Sequence, residues 1–209
     1  MSEKKRRRGK RGADDEGSSK TGGSRSPIGI ISEGEKWWTT QLSIKGASEE
    51  IDSGVSDGSK HQFNPSDMIK EFRSLADQTY EKELDRFSKW SSANATADDE
   101  FLEKTARGGG ATLGDKISSM VIMIQAHPLY RMSLLDDLLN LATKEKRVAT
   151  MVGDSLRDLM VSNLLPEDRK LVTFDNRPLR KYADGKVKLS PKVLMFWRFE
   201  EVRGDEERA

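Results

Sequence analysis

The chain has 209 residues, of which 34% are hydrophobic and 34% charged, with a net charge of +1, two histidines and no cysteine. This composition excludes disulfides and thiolate metal sites and leaves little for a histidine-based metal centre. The near-zero charge argues against a uniformly cationic nucleic-acid binder, and no apolar run reaches the roughly 18 residues of a membrane span.

Seven of the first eleven residues are basic: Lys4, Lys5, Arg6, Arg7, Arg8, Lys10 and Arg11. No apolar h-region follows, so this is not a secretory signal. The run "KKRRRGKR" fits a nuclear import signal or an RNA-contacting patch, with a solubilising tail as the plainer reading. If all seven cations met single-stranded RNA, log K would fall against log salt with a slope of roughly −5. Residues 1–35 cannot bury enough apolar surface to offset their ordering entropy, and disorder is expected there. Residues 36–62 read as a polar linker interrupted by Trp37-Trp38. Two exposed tryptophans are unfavourable, so this pair should dock, either on the chain's own fold or on a partner; stacking on RNA bases is a third use.

From residue 66, Ile69, Phe72, Ala76, Tyr80, Leu84 and Phe87 recur every three or four residues and predict a helix to about residue 90. Ser66 is the expected N-cap, with Asp67 in the first turn. A short helical piece at "DDEFLEKTA" follows, and Gly108-Gly109-Gly110 breaks the chain. Thr112 and Asp115 then form a short capping box. Leu113, Ile117, Met120, Val121 and Ile124 make a stripe that Ile122 and Met123 widen, predicting a helix central to the core. Pro128 should end it and sit in the first turn of the next. That next helix carries Leu129, Met132, Leu135, Leu138, Leu139 and Ala142 on one face; its successor carries Val148, Val152, Leu156, Leu159 and Asn163. Each fully buried Leu or Val is worth roughly 1.5–3 kcal/mol. Short links predict antiparallel neighbours, with the 66–90 helix as a fourth wall.

Pro166 stops the last of these helices. In "LLPEDRKLVTFDNRPL" it can open a one-turn helix, with Glu167 and Asp168 at the positive end and Arg169 and Lys170 at the negative end. Leu171 and Phe174 can enter the core, and Arg177-Pro178 keeps the next piece extended. After a polar loop at 183–188, Ser190-Pro191 opens another helix whose apolar part is Val193 to Phe199. Leu194, Phe196, Trp197 and Phe199 suit packing on something that should follow. The expected fold is all-α: antiparallel helical pairs at the start of a HEAT-like solenoid, behind a disordered tail. The expected divisions are 1–35 (tail), 36–62 (linker with the Trp-Trp docking segment), 63–185 (helical repeat domain) and 186–209 (first helix of a further, truncated repeat).

Chemistry is hard to place. Gly109 and Gly114 have phosphate-loop spacing, but Asp115 stands where Lys is needed and Lys116 where Ser or Thr is needed. His127 reads as a C-cap or packing residue, and His61 has no partner in sequence. Asp136-Asp137 and Asp98-Asp99-Glu100 read as solvated surface. No nucleophile–base arrangement is present, so no catalytic residue, metal, cofactor or small-molecule substrate is expected.

Several stretches go beyond general pattern. Thr112-Leu113-Gly114-Asp115-Lys116, Leu164-Leu165-Pro166, Asp168-Arg169-Lys170-Leu171, Phe174 and Arg177-Pro178-Leu179 are specific. "LMFWRFEE" at 194–201 and "GEKWW" at 34–38 add to them, with Arg198 where an aromatic is usual and Trp38 where Tyr is usual. Together they resemble the CCAAT-binding factor / nucleolar complex protein family, the Noc/Mak21-type ribosome assembly factors. The resemblance implies a non-catalytic helical-repeat scaffold of the nucleus and nucleolus. It would bind pre-60S ribosomal particles and pre-rRNA, with a related nucleolar complex protein as heterodimer partner and no membrane. The older name implies an alternative, a transcription cofactor acting through DNA-bound partners. Family members continue for hundreds of residues, so a fragment is expected here.

The expected nucleic-acid contacts are the seven tail cations with Arg177, Arg180 and Lys181; the weighed alternative for Arg169 and Lys170 is capping their own short helix. The expected partner-docking residues are Trp37, Trp38, Phe196 and Trp197.

Overall fold

The computed structural model describes residues 26–32, 34–46, 65–108, 110–143, 146–183 and 188–208, without the side chains of 65, 183 and 203–208. The described residues form α1 (Trp37–Leu42), α2 (Pro65–Asn94), α3 (Ala97–Arg107), α4 (Leu113–Ala126), α5 (Met132–Ala142), α6 (Lys146–Leu159), α7 (Arg180–Ala183) and α8 (Pro191–Arg208). No strand occurs among them. The fold is all-α and solenoid-like, with α3 packed on α4, α4 on α5 and α5 on α6 in chain order.

Local chemistry sets the helix starts. Thr112 accepts a hydrogen bond from Asp115 N while the Asp115 side chain accepts from Thr112 N, a complete capping box. Thr96 and Asp99 build the same device for α3. Ser190 Oγ accepts from Val193 N ahead of Pro191, as expected for a Ser-Pro start. Helix α2 departs from expectation: it begins at Pro65, which places Ser66 inside the helix. Proline fits a first helical position because its missing N–H has no partner there anyway. At the end of α3, Gly108 is required by close approach, since a Cβ there would sit 2.4 Å from the Lys104 carbonyl oxygen.

Two buried clusters make the core. The larger joins Phe87, Ala106, Ile117, Met120, Ile124, Leu135, Leu138, Val152 and Leu159 to Trp37, Phe196 and Phe199. The smaller joins Met68, Phe72 and Ala76 of α2 to Phe174, Leu179, Tyr182, Val193, Leu194 and Trp197. Helix α8 lies between them and is apolar on both sides. It is therefore not an unpartnered end helix: Phe196 and Trp197 are fully buried within this chain. Helix α2 likewise serves both clusters. Only its Phe87 end walls the main bundle, while its first half packs on α8.

Other expectations are corrected in detail. Leu84 is 38% exposed and Glu83 takes the inward position one residue earlier, 5% exposed, where its carboxylate accepts from Ile28 N at 3.0 Å. Ile122, Leu113 and Leu139 face outward. Pro128 lies in a turn, and α5 begins only at Met132. Residues 167–169 form bends, and the one-turn helix at Pro166 is absent. Instead α6 widens into a π-turn at Met160–Leu164, with Leu165 N donating to Met160 O at 2.8 Å. Pro166 explains the widening: it has no N–H for the Ser162 carbonyl, and its ring would clash with that group in a regular helix. The Lys36 ammonium takes up the Ser162 carbonyl instead.

Residues 26–46 are not wholly tail and linker. Pro27 and Gly29 are buried, Gly29 N donates to Tyr130 Oη at 2.8 Å, and Ile28, Ile30 and Ile31 pack against the main cluster.

Candidate functional site

The most concentrated chemistry among the described residues is a buried charge node on α8. Glu200 is 0% exposed. Its carboxylate accepts from Arg169 Nη1 at 2.5 Å, from Gln41 Nε2 at 2.8 Å and from Arg177 Nη2. Arg169 Nη2 donates to Gln41 Oε1 at 2.6 Å. The neighbouring Glu201 accepts from Phe174 N at 2.6 Å and from Arg73 Nε at 2.7 Å. Two guanidiniums also lie over indole rings: Arg177 over Trp197 at 5.1 Å and Arg169 over Trp37 at 5.8 Å. A carboxylate removed from water is tolerated only when paired and hydrogen-bonded, and here three donors meet that need. The node joins α1, the 165–177 segment and α8, and Glu201 adds α2.

These bonds decide the placement of the expected site residues. Arg177, expected on a nucleic-acid edge, is 2% exposed and committed to Glu200. Arg169 is committed to Glu200 and Gln41 and so caps no helix of its own. Arg180 and Lys181 of α7 are exposed, as are Lys170 and Lys188. Trp37, Phe196 and Trp197, expected to dock a partner, are spent on the chain's own core. Trp37 Nε1 donates to the Leu164 carbonyl at 3.1 Å, an acceptor that the π-turn leaves open. Trp38 is half-buried, edge-on to Trp37 at 5.6 Å, with the Lys36 ammonium 5.8 Å from its ring centre. The basic run Lys4–Arg11 and His61 lie outside the described residues.

Among the described residues, the other titratable groups with shifted pKa values include ones in packing or capping positions. His127 is the C-cap residue of α4, edge-on to Phe87 at 5.1 Å, and burial lowers its pKa below the usual histidine range. Tyr130, stacked on Phe87 at 4.4 Å, is pushed up by burial. Backbone and side-chain hydrogen bonds from Thr96 lower the pKa of Asp99. Asp115 caps α4 and places a carboxylate where a phosphate would have to sit. Among the described residues no cluster of His, Cys, Asp or Glu suits a metal ion, and no helix is long and apolar enough to cross a membrane.

Gln41, Arg73, Glu83 and Glu201 all took positions that sequence reasoning missed. One cue existed for the α8 acids. In "LMFWRFEE" two carboxylates follow directly on aromatics at core spacing, which requires basic partners from elsewhere.

No protein-family model matches the chain. Human CCAAT/enhancer-binding protein zeta is 28% identical over 141 residues, covering 65% of this chain and 13% of that protein. Ribosome biogenesis protein NOC1 of Chaetomium thermophilum is 27% identical over 156 residues, covering 68% and 15%. Protein SLOW WALKER 2 of Arabidopsis thaliana is 31% identical over 115 residues, covering 49% and 11%. The chain is a homologue of the CCAAT-binding factor and Noc1-type proteins. The chain spans about one-seventh of the length of these two proteins.

Proposed function

We propose that this chain is a non-catalytic helical scaffold acting in ribosome biogenesis, at work in the nucleus and nucleolus on the large subunit. In this reading it contacts pre-60S particles and their pre-rRNA, and a related nucleolar complex protein is its heterodimer partner. The observation that carries the reading is the 156-residue match to a protein named for ribosome biogenesis. Three features support it. The described residues hold no cluster suited to a metal ion, the inner chemistry is spent on holding helices together, and the cations Arg180 and Lys181 of α7 are exposed. The basic run at Lys4–Arg11 suits nuclear import or RNA contact.

The test uses the tagged full-length product in its own cells. Its expected position is the nucleolus, co-sedimenting with large-subunit precursors and cross-linking to pre-rRNA. Arg180→Glu with Lys181→Glu should leave Tm unchanged and weaken that association, with the salt slope of RNA binding falling by about 1 per lost phosphate contact. Unaltered association in the double variant removes these two residues from the interface. A diffuse location away from precursor particles removes the reading itself. The name of the human relative favours one alternative, a transcription cofactor acting through DNA-bound partners. Recovery of promoter DNA in place of pre-rRNA by cross-linking would select it.

A further inference from the structure

A groove of about 1000 Å³ opens between the last turns of α2 and helix α3. It exists because α3 packs on α4 rather than closely on α2. Its floor is apolar and aromatic: Phe87, Met123 and Tyr130 are buried there. Its rim carries Leu84 and Ile122, and Ile122 is 47% exposed. His127 also lines the groove, and burial favours its uncharged form.

Two properties specify an occupant. First, α2, α3 and α4 satisfy their own backbone groups, and no sheet edge is available among the described residues. An extended peptide would leave its N–H and C=O groups unmet against such walls, whereas a helix brings its own bonds. Second, α3 is polarised. Along the groove, Asp99 and Glu100 stand in its first turn and Lys104 and Arg107 in its last, with Arg107 also paired to Glu103 at 3.0 Å. A helix running antiparallel to α3 would set its C-terminal end beside those acids and its N-terminal end beside those bases. Cations near a helix C-terminus and acids near its N-terminus are also what a helix dipole favours, so charge matching and dipole agree on one direction.

We propose that this groove receives an amphipathic helix of a protein partner, lying antiparallel to α3, acidic at its N-terminal end and basic at its C-terminal end. Helix α3 has 11 residues, so the matching length is about three turns, with apolar anchors at i, i+4 and i+7. Leu84 and Ile122 supply the apolar rim for those anchors. This inference stands apart from the ribosomal reading and needs no RNA.

The probe is a labelled synthetic helix of that length, with leucine anchors, glutamates in its first turn and lysines in its last. Fluorescence anisotropy with the full chain should show saturable binding. A second peptide with the charges exchanged end for end should bind about tenfold more weakly, the scale of a few surface ion pairs. Ile122→Glu should abolish binding at unchanged Tm, and Ile122→Ser, a milder change, should weaken it. Equal affinity for the two peptides overturns the stated direction, and binding unaffected at Ile122, or absent for both peptides, overturns the site. Sedimentation showing a dimer that Ile122→Glu splits would assign the groove to a second copy of the chain. Binding of a uridine 20-mer lost in the same variant would assign it to RNA. Either result overturns the proposal.

Discussion

The two buried clusters hold together by different physics. The larger is built mainly from helices that follow one another, α3 to α6, joined through apolar side chains. The smaller joins the first half of α2 to α8, more than a hundred residues apart, and is flanked by ion pairs: Glu200, buried, with Arg169 and Arg177, and Glu201 with Arg73, a part-buried pair. Hydrophobic burial is non-directional and tolerates small changes of angle. A buried carboxylate between two guanidiniums is directional and leaves a charge stranded if one partner goes. The bundle therefore supplies cohesion, and the node fixes where the 165–177 segment and α1 sit against α8.

The most severe way to break this contrast is Glu200→Ala. Two guanidiniums, one fully buried, would lose their carboxylate, and unfolding in urea should reveal a loss of about 3–5 kcal/mol. A loss under 1 kcal/mol would mean that the node orders nothing. In the bundle, Leu138→Ala should cost about 2–5 kcal/mol through lost transfer energy and a cavity. Smaller again, Thr112→Ala removes one half of the α4 capping box and should cost about 1 kcal/mol. Intact stability in that variant would place the start of α4 under tertiary control alone.

The finest test concerns His127. Its folded pKa lies below 6.5, so between that value and the folded pKa the unfolded chain binds more protons than the folded one. Tm should thus fall as pH drops below about 6.5, the loss levelling off once the folded state is also protonated. His127→Gln should flatten that step. An unaltered pH profile in the variant would show that the ring does not titrate differently on folding. The lowered Asp99 acts in a separate, more acidic window, where stability is lost as pH falls below 3.8.

Much of the helical layout was legible because period and punctuation agreed. Thr112 with Asp115, Ser190 with Pro191, and the stripe Ile117, Met120, Ile124 each announced a helix that the structure contains. The outward residues were misjudged where a stripe was broad. Ile122 and Leu139 are apolar, yet the neighbours that decide which side of a helix is covered lie far off in sequence. The candidate site was read less well. Arg177 looked like a surface cation and Trp197 like a docking residue, because their partners stand 20 or more residues away.

Sequence alone determined that this is a cysteine-free chain of amphipathic helices, where α4 and α8 begin, and which family it resembles, since capping, periodicity and motif are local properties. Only the tertiary structure decided that Arg169 and Arg177 serve Glu200, that Trp37 fills the core, and that α8 is enclosed on both sides. The reason is that burial and ion pairing depend on which distant segments meet, and no spacing along one helix encodes that meeting.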